Sequence, residues 1–170
     1  MRPDREALRQ LVVEHDIGRL LRLPRPRPPR CRPLAETLEA IANADLITIG
    51  PGSLFTSVIP NLLVGGIPRA IAAAPAVKAY FVNLMWQPGE TVGFTAADHV
   101  EAIYRHGGSG LLDCVVVNTT PIGESPRRRY AAAQVRPVEN DLDRLARLNV
   151  AVIRRDLLAR AKMVRHDSEA

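Results

Sequence analysis

A glycine-containing turn follows the first buried strand pattern of the chain and could bind an anion. The apolar run 45–49 is followed by Gly50, Gly52 and Ser53, with a proline between the glycines. Two glycines let a ligand approach the backbone closely, and Ser53 before a helix offers a hydroxyl and amides to a phosphate. The same residues also fit a tight turn in which Ser53 caps the helix, and taken alone that structural interpretation is favoured.

A polar loop follows the next strand pattern, 77–83, and carries several side chains that could recognise a ligand. Asn83 and Gln87 offer amides, Glu90 offers a carboxylate, and Trp86 is the single tryptophan of the chain. A polar loop at the end of an apolar strand is a frequent position for binding residues. The tryptophan could stack on a base or sugar or could simply pack, and the sequence favours neither.

The third strand pattern, 113–118, also ends in polar residues, with Asn118 followed by two threonines. In parallel α/β folds, ligands bind outside the carboxyl ends of the strands. Three such ends with polar groups indicate a ligand site more strongly than any one of them.

Other candidate residues give weaker signals. The cluster 127–130, Arg-Arg-Arg-Tyr, is typical of solvated surface but could also bind a phosphate. His99 lies in the first turn of a predicted helix, where we expect a solvent-facing imidazole. The chain contains no zinc-ligand spacing and no GxGxxG, GxxxxGK[ST] or GxSxG motif, so no metal residue and no catalytic residue is assigned.

Helical and buried-strand patterns alternate along the chain and would position these loops. Continuous apolar strands separated by helices predict an α/β fold with a Rossmann-like parallel sheet and helices on both faces. Thr95 with Asp98 three residues later predicts a capping box. The predicted strands are 45–49, 77–83, 113–118 and 150–153, and the predicted helices are 34–43, 54–74 (interrupted at Pro60 and Gly65-Gly66), 96–105 and 139–148.

The 170 residues have the size of one domain, and their positive charge belongs to one segment. Residues 1–33 hold nine arginines and four acidic residues, which accounts for the whole net charge of +5. This arm combines an amphipathic helical pattern over 3–21 with a proline-rich connector. The ordered α/β body is predicted over 34–170.

The composition indicates a cytoplasmic protein. No apolar run is long enough to span a bilayer, and the first residues lack the apolar segment of a secretory signal. The two cysteines, Cys31 and Cys114, are too few for a disulfide framework, so both thiols are expected to be free. No membrane partner is expected, and the sequence leaves a homo-oligomer open.

Three segments resemble the YvcK/CofD-like family, in particular its YvcK branch, known as gluconeogenesis factors. They are ADLITIGPGSLFTSVIPNLLV (44–64), NLMWQPGETVGFTAADHVEAIYRHGG (83–108) and VRHD (164–167). The resemblance covers roughly residues 33–168 and implies a Rossmann-like cytoplasmic protein that binds a UDP-sugar, notably UDP-N-acetylglucosamine. The branch is linked to cell-shape and cell-wall control on gluconeogenic carbon sources.

The resemblance also implies which residues face the ligand. Tyr130 could pack on a uracil or sugar face, and Arg165 could pair with the diphosphate. The other implied ligand-facing residues are Gly50, Gly52, Ser53, Asn83, Gln87, Glu90 and Thr91.

Two features depart from the family pattern. Trp86 stands where the family usually has threonine, which affects the shape of that loop. Residues 1–33 contain no glycine-rich GGGTG-type phosphate loop, with Gly18 as their only glycine. The chain therefore resembles the C-terminal portion of the family without its N-terminal strands, and we expect a fragment or late-start product that holds part of the ligand site.

Three functions remain open from the sequence. The favoured one is a UDP-sugar-binding regulatory protein that acts without catalysis and needs no cofactor. The second is a CofD-like transferase that moves a phospholactyl group from a guanylylated donor onto a deazaflavin precursor, for which Mg²⁺ would be expected. The third and least favoured is an interaction protein that binds nucleic acid or an acidic partner through the Arg/Pro arm.

Overall fold

The computed structural model of the chain describes residues 32–131, 135–159 and 164–167. The predicted N-terminal arm, including the helix proposed for 3–21, lies outside the described residues except for its last two positions.

Four parallel strands form one sheet, and their order in the sheet is their order in the chain. Ile49 of the first strand lies beside Tyr80, and Val115 of the third lies between Tyr80 and Val152 in register. This arrangement confirms the predicted α/β class with a parallel sheet. The strands are β1 (Leu46–Ile49), β2 (Val77–Phe81), β3 (Cys114–Asn118) and β4 (Ala151–Arg155).

Helices connect successive strands, as parallel strands require. A π-helical turn, Leu54–Val58, leads directly into α2, and Gly66, with φ +93°, precedes α3. Glycine adopts that backbone region without steric cost. The helices are α1 (Ala35–Ala42), α2 (Ile59–Leu62), α3 (Ile67–Ala73), α4 (Ala96–Gly107), α5 (Glu124–Ala131) and α6 (Leu142–Arg147).

The predicted elements match these bounds closely at most positions, with two differences. Helix α5 was not predicted, because its run of charged residues shows no apolar period. The predicted helix 139–148 begins only at Leu142, since Glu139 pairs with the start of α4 instead, where its carbonyl accepts from the Ala96 amide at 2.8 Å.

The two faces of the sheet contribute to two apolar clusters. Tyr80 and Val115 are fully buried in the main cluster, where they pack with Ile103 of α4 and Leu145 of α6. Alternate strand residues point to the opposite face. There Val116 packs in a smaller cluster with residues of the loops that follow β2 and β4.

Apolar side chains remain exposed on this second face. Leu46 and Val77 are neighbours in register and are 56% and 51% exposed, and Ile153 on β4 is 37% exposed. The sequence leaves a homo-oligomer open, and contact between copies of the chain through this face would bury these apolar side chains.

Among the described residues, no single helix has the length and apolar composition of a membrane span. The pair Leu54–Leu62 and Ile67–Ala73 reaches that length and composition only when taken together, and it is bent by 76°.

Helix α4 begins with the predicted capping box. The Thr95 hydroxyl accepts from the Asp98 amide, and the Asp98 carboxylate accepts from the Thr95 amide at 2.8 Å. Arg144 of α6 donates to Asp98 at 2.9 Å and to Glu101 at 2.8 Å. Burial raises the pKa of Asp98, but the hydrogen bonds from Thr95 and Arg144 outweigh it and hold that pKa below its ordinary value. The cap therefore also joins α4 to α6.

The expectation of a solvent-facing His99 was wrong. Its side chain is fully buried beside Phe94, and its Nδ1 donates to the Thr95 carbonyl at 2.8 Å. The residue lies on the face of α4 that packs on the sheet, so its place in the first turn did not expose it.

We expect Thr95→Ala to lower the free energy of unfolding by about 1–2 kcal/mol, because the orphan amide of Asp98 loses its acceptor. Thr95→Ser keeps the hydroxyl and is the matched control, which should retain most of the stability. Urea denaturation of both variants measures the effect. Equal stability of the alanine and serine variants would contradict the role assigned to this cap.

Candidate functional site

A cavity of about 400 Å³ opens at the carboxyl ends of β1 and β2. It brings together residues from the turn after β1, the loop after β2 and the segment after β4. We refer to it as the first cavity. Of the residues predicted to face a ligand, it is lined by Gly52, Ser53, Asn83, Gln87 and Arg165.

Ser53 is held at the cavity wall by a carboxylate from the second loop. Its hydroxyl donates to the Glu90 carboxylate and lies 2.6 Å from Oε1 and 2.5 Å from Oε2. The Thr56 hydroxyl donates to Ser53 and, at 3.1 Å, to Glu90, while the Phe55 amide donates to Glu90 at 3.3 Å. Glu90 itself does not line the cavity, so it acts here by joining the two loops and orienting Ser53.

The loop after β2 is fixed by its own polar side chains. Asn83, which is 9% exposed, donates from Nδ2 to Oε1 of Gln87 at 3.2 Å. The backbone N–H of Gln87 donates to the Thr91 hydroxyl at 3.0 Å. Thr91 is fully buried, so it shapes the loop and does not face the cavity.

Gly50 lies in the turn after β1 but lines a neighbouring apolar groove instead of the first cavity. Its φ is +75°, and a Cβ added there would lie 3.1 Å from the Phe81 carbonyl oxygen. The structure therefore requires glycine at this position for the backbone path between β1 and β2.

Arg165 and His166 reach the cavity from the segment after β4. The Ala159 amide donates to the Arg165 carbonyl at 3.0 Å, and His166 Nε2 donates to the Val82 carbonyl at 3.1 Å. Burial lowers the pKa of the His166 imidazole, although the hydrogen bond to Val82 opposes that shift. The hydrogen bond from His166 to Val82 thus anchors the segment that carries Arg165 to the end of β2.

Two aromatic candidates lie outside this cavity lining. Tyr130 is half-buried on α5 and lines none of the cavities described here. Trp86 donates from its indole Nε1 to the Phe94 carbonyl at 2.9 Å, and its backbone amide donates to Arg136 at 2.8 Å. These contacts agree with the packing interpretation of Trp86.

A second cavity of about 240 Å³ adjoins the first and shares Asn83 and Leu84 with it. It lies at the carboxyl ends of β2 and β3 and contains Asn118, the third strand-end candidate. The Asn118 amide is used within the protein, since Nδ2 donates to Thr120 at 2.8 Å and Oδ1 accepts from Leu157 at 3.0 Å. Asn118 therefore shapes the wall of this cavity.

Several cavity residues were not among the predicted site residues. Leu84 and Met85 carried a usable signal, because both lie directly after a buried strand. His166 lies in the segment 164–167 that resembles the family, but only the path of the chain after β4 brings it beside Val82. In the described part of the chain, no group of three or more His, Cys, Asp or Glu side chains is placed to hold a metal ion.

Several known proteins are similar to this chain in sequence and in fold. The family model described as 2-phospho-L-lactate transferase CofD matches residues 13–158. A gluconeogenesis factor of Bacillus subtilis is 44% identical over 142 residues, which are 83% of this chain and 45% of that protein. A gluconeogenesis factor of Halalkalibacterium halodurans is 48% identical over 126 residues, 74% of this chain and 39% of that protein.

A crystal structure of a protein from Bacillus halodurans has the same fold, with a TM-score of 0.81 and 44% identity. The match covers 84% of this chain and 46% of that one. The chain thus spans less than half the length of these relatives, and it matches their C-terminal portion.

We expect the stability of the protein to fall as the pH falls below about 6.5. Burial lowers the pKa of both His166 and His99 in the folded state, so the unfolded chain takes up these protons first. The stability that these two histidines contribute is complete above their pKa in the unfolded chain. It is lost as the pH falls towards their lower pKa in the folded protein.

Thermal unfolding of the native chain and of His166→Gln, measured from about pH 7.5 to about pH 5.5, tests this expectation. Glutamine keeps a donor for Val82 but does not titrate, so the variant should lose less stability over this range. The remaining dependence belongs in part to His99. The same pH dependence in both proteins would contradict the assignment to His166.

Proposed function

The chain belongs to the CofD family, and on that basis we propose that it is a regulatory protein that binds a nucleotide sugar, UDP-N-acetylglucosamine, in the first cavity. The observation that carries the proposal is the assembly of Gly52, Ser53, Asn83, Gln87 and Arg165 around one space of about 400 Å³. A volume of that size is in the range of small-molecule sites.

The cavity has groups suited to each part of such a ligand. The Arg165 guanidinium would pair with the diphosphate through two parallel hydrogen bonds. The backbone at Gly52 and the hydroxyl of Ser53 would contact the same phosphates at close range. The amides of Asn83 and Gln87 both donate and accept, so they would recognise the uracil edge or the sugar hydroxyls.

The similarity to gluconeogenesis factors supports a regulatory role. In this proposal, ligand occupancy reports the supply of a nucleotide sugar in the cytoplasm, and the protein acts by binding without turnover. The output would be control of cell shape and cell-wall formation during growth on gluconeogenic carbon sources. Its partners and output are part of the proposal, since the chain spans less than half the length of these relatives.

Thermal unfolding with and without millimolar UDP-N-acetylglucosamine tests the binding. We expect a rise in Tm for the native chain, because a ligand that binds only the folded state stabilises it. GDP is the control ligand and should give a smaller shift. Arg165→Ala should lose most of the rise, whereas Arg147→Ala, an exposed arginine that lines neither cavity, should keep it.

A cooperative unfolding transition that UDP-N-acetylglucosamine leaves unchanged would contradict binding by this chain. An equal rise with Arg165→Ala would retain the ligand but contradict the role given to Arg165.

The family model favours one second candidate, a phospholactyl transferase. In that case the first cavity would bind a guanylylated donor, a hydroxyl of a deazaflavin precursor would accept the phospholactyl group, and GMP would leave as the phosphoanhydride bond of the donor breaks. Incubation of the chain with the donor, the acceptor and Mg²⁺, followed by chromatography of the deazaflavin, separates the two functions. We expect no product, and formation of the phospholactyl deazaflavin would replace the binding proposal by the transferase.

A further inference from the structure

The second cavity continues the proposed ligand site around Asn83. Asn83 and Leu84 line both cavities, so a ligand in the first lies next to the second. At about 240 Å³, the second cavity has room for a sugar ring or a comparable polar group.

The charged groups of the two cavities have the same sign. Arg165 lines the first and Arg127 of α5 lines the second, and neither lining includes an aspartate or glutamate. Arg127 has no carboxylate partner among the described residues, whereas its neighbour Arg128 pairs with Glu124 at 3.2 Å. Among the described residues, an arginine without a carboxylate partner thus borders the second cavity.

The polar side chains that line the second cavity beside Arg127 are Asn83, Asn118, Thr120 and Asn140. Asn140 donates from Nδ2 to the Asn118 carbonyl at 2.6 Å, and Asn83 donates from Nδ2 to Gln87. Within the described part of the chain, the Oδ1 atoms of Asn83 and Asn140 accept no hydrogen bond. Such oxygens accept hydrogen bonds from the hydroxyl groups of a sugar.

We infer that the second cavity binds the sugar of the ligand through these amide oxygens and an acidic substituent of that sugar through Arg127. Among nucleotide sugars that differ at that one substituent, the site that binds UDP-N-acetylglucosamine therefore prefers a carboxylate over a hydroxymethyl group. A ligand with two separate anionic groups would contact Arg165 with its diphosphate and Arg127 with its carboxylate. The inference rests on the proposed nucleotide-sugar function and deepens it.

Calorimetric titration of the full chain with UDP-glucuronic acid and with UDP-glucose tests the preference. These ligands differ at one position, where the first has a carboxylate and the second a hydroxymethyl group. We expect UDP-glucuronic acid to bind about threefold to tenfold tighter, as a solvent-accessible charge-assisted pair allows. The difference should shrink at higher salt concentration, because exposed charges are screened.

Two neighbouring arginines provide the variant and its control. Arg127→Ala should bind both ligands with the affinity that the native chain shows for UDP-glucose. Arg128→Ala removes the same side chain from the same helix but outside the cavity lining, so the preference should persist. Arg127→Lys should restore part of it, because the charge remains.

Each outcome supports or overturns the inference. Equal affinity of the native chain for the two ligands would overturn it and leave the proposed function intact, since both carry the UDP group. A preference that survives in Arg127→Ala would also overturn it, because the carboxylate would then bind elsewhere. If neither ligand nor UDP-N-acetylglucosamine binds, the proposed function itself fails and the inference fails with it.

Discussion

All four strands of the sheet run in the same direction, and this decides where the loops of the candidate site lie. Because every strand runs the same way, every loop that follows a strand emerges at the same edge of the sheet. The turn after β1, the loop after β2 and the segment after β4 therefore meet around the first cavity, although more than a hundred residues separate Ser53 from Arg165. The helices that return the chain also cover the fully buried residues of β2 and β3 and keep the sheet rigid beneath the site.

Polar contacts between the loops convert this proximity into a defined geometry. The Glu90 carboxylate accepts hydrogen bonds from Ser53, Thr56 and the Phe55 amide, so the first two loops are joined at one point. His166 joins the third segment to the end of β2 through the Val82 carbonyl. Each contact links residues far apart in the sequence, and loops held in this way need little further ordering when a ligand binds.

The arginines and the carboxylates of this edge have separate roles. Glu90 is engaged with protein donors and lies outside the cavity lining, which leaves arginine as the charged residue of each cavity. A site arranged in this way attracts anions and repels cations. The same electrostatics would suit the diphosphate of a nucleotide sugar or the phosphorylated donor of a transferase, so the chemistry of the rest of the ligand separates these functions.

The α/β class, the four strands and most of the helices could be predicted from the sequence, because burial imposes a regular period on apolar residues. The sequence also located Gly52, Ser53, Asn83 and Gln87, since polar residues directly after a buried strand can be recognised without a structure. Helix α5 gave no such signal, because it lies at the surface and its residues have no apolar face. The tertiary structure alone separated Glu90 and Thr91, which hold loops together, from the residues that line the cavity. It also buried His99 and brought Arg127 into the lining of the same cavity as Asn83, because both outcomes depend on which elements pack together and not on local sequence.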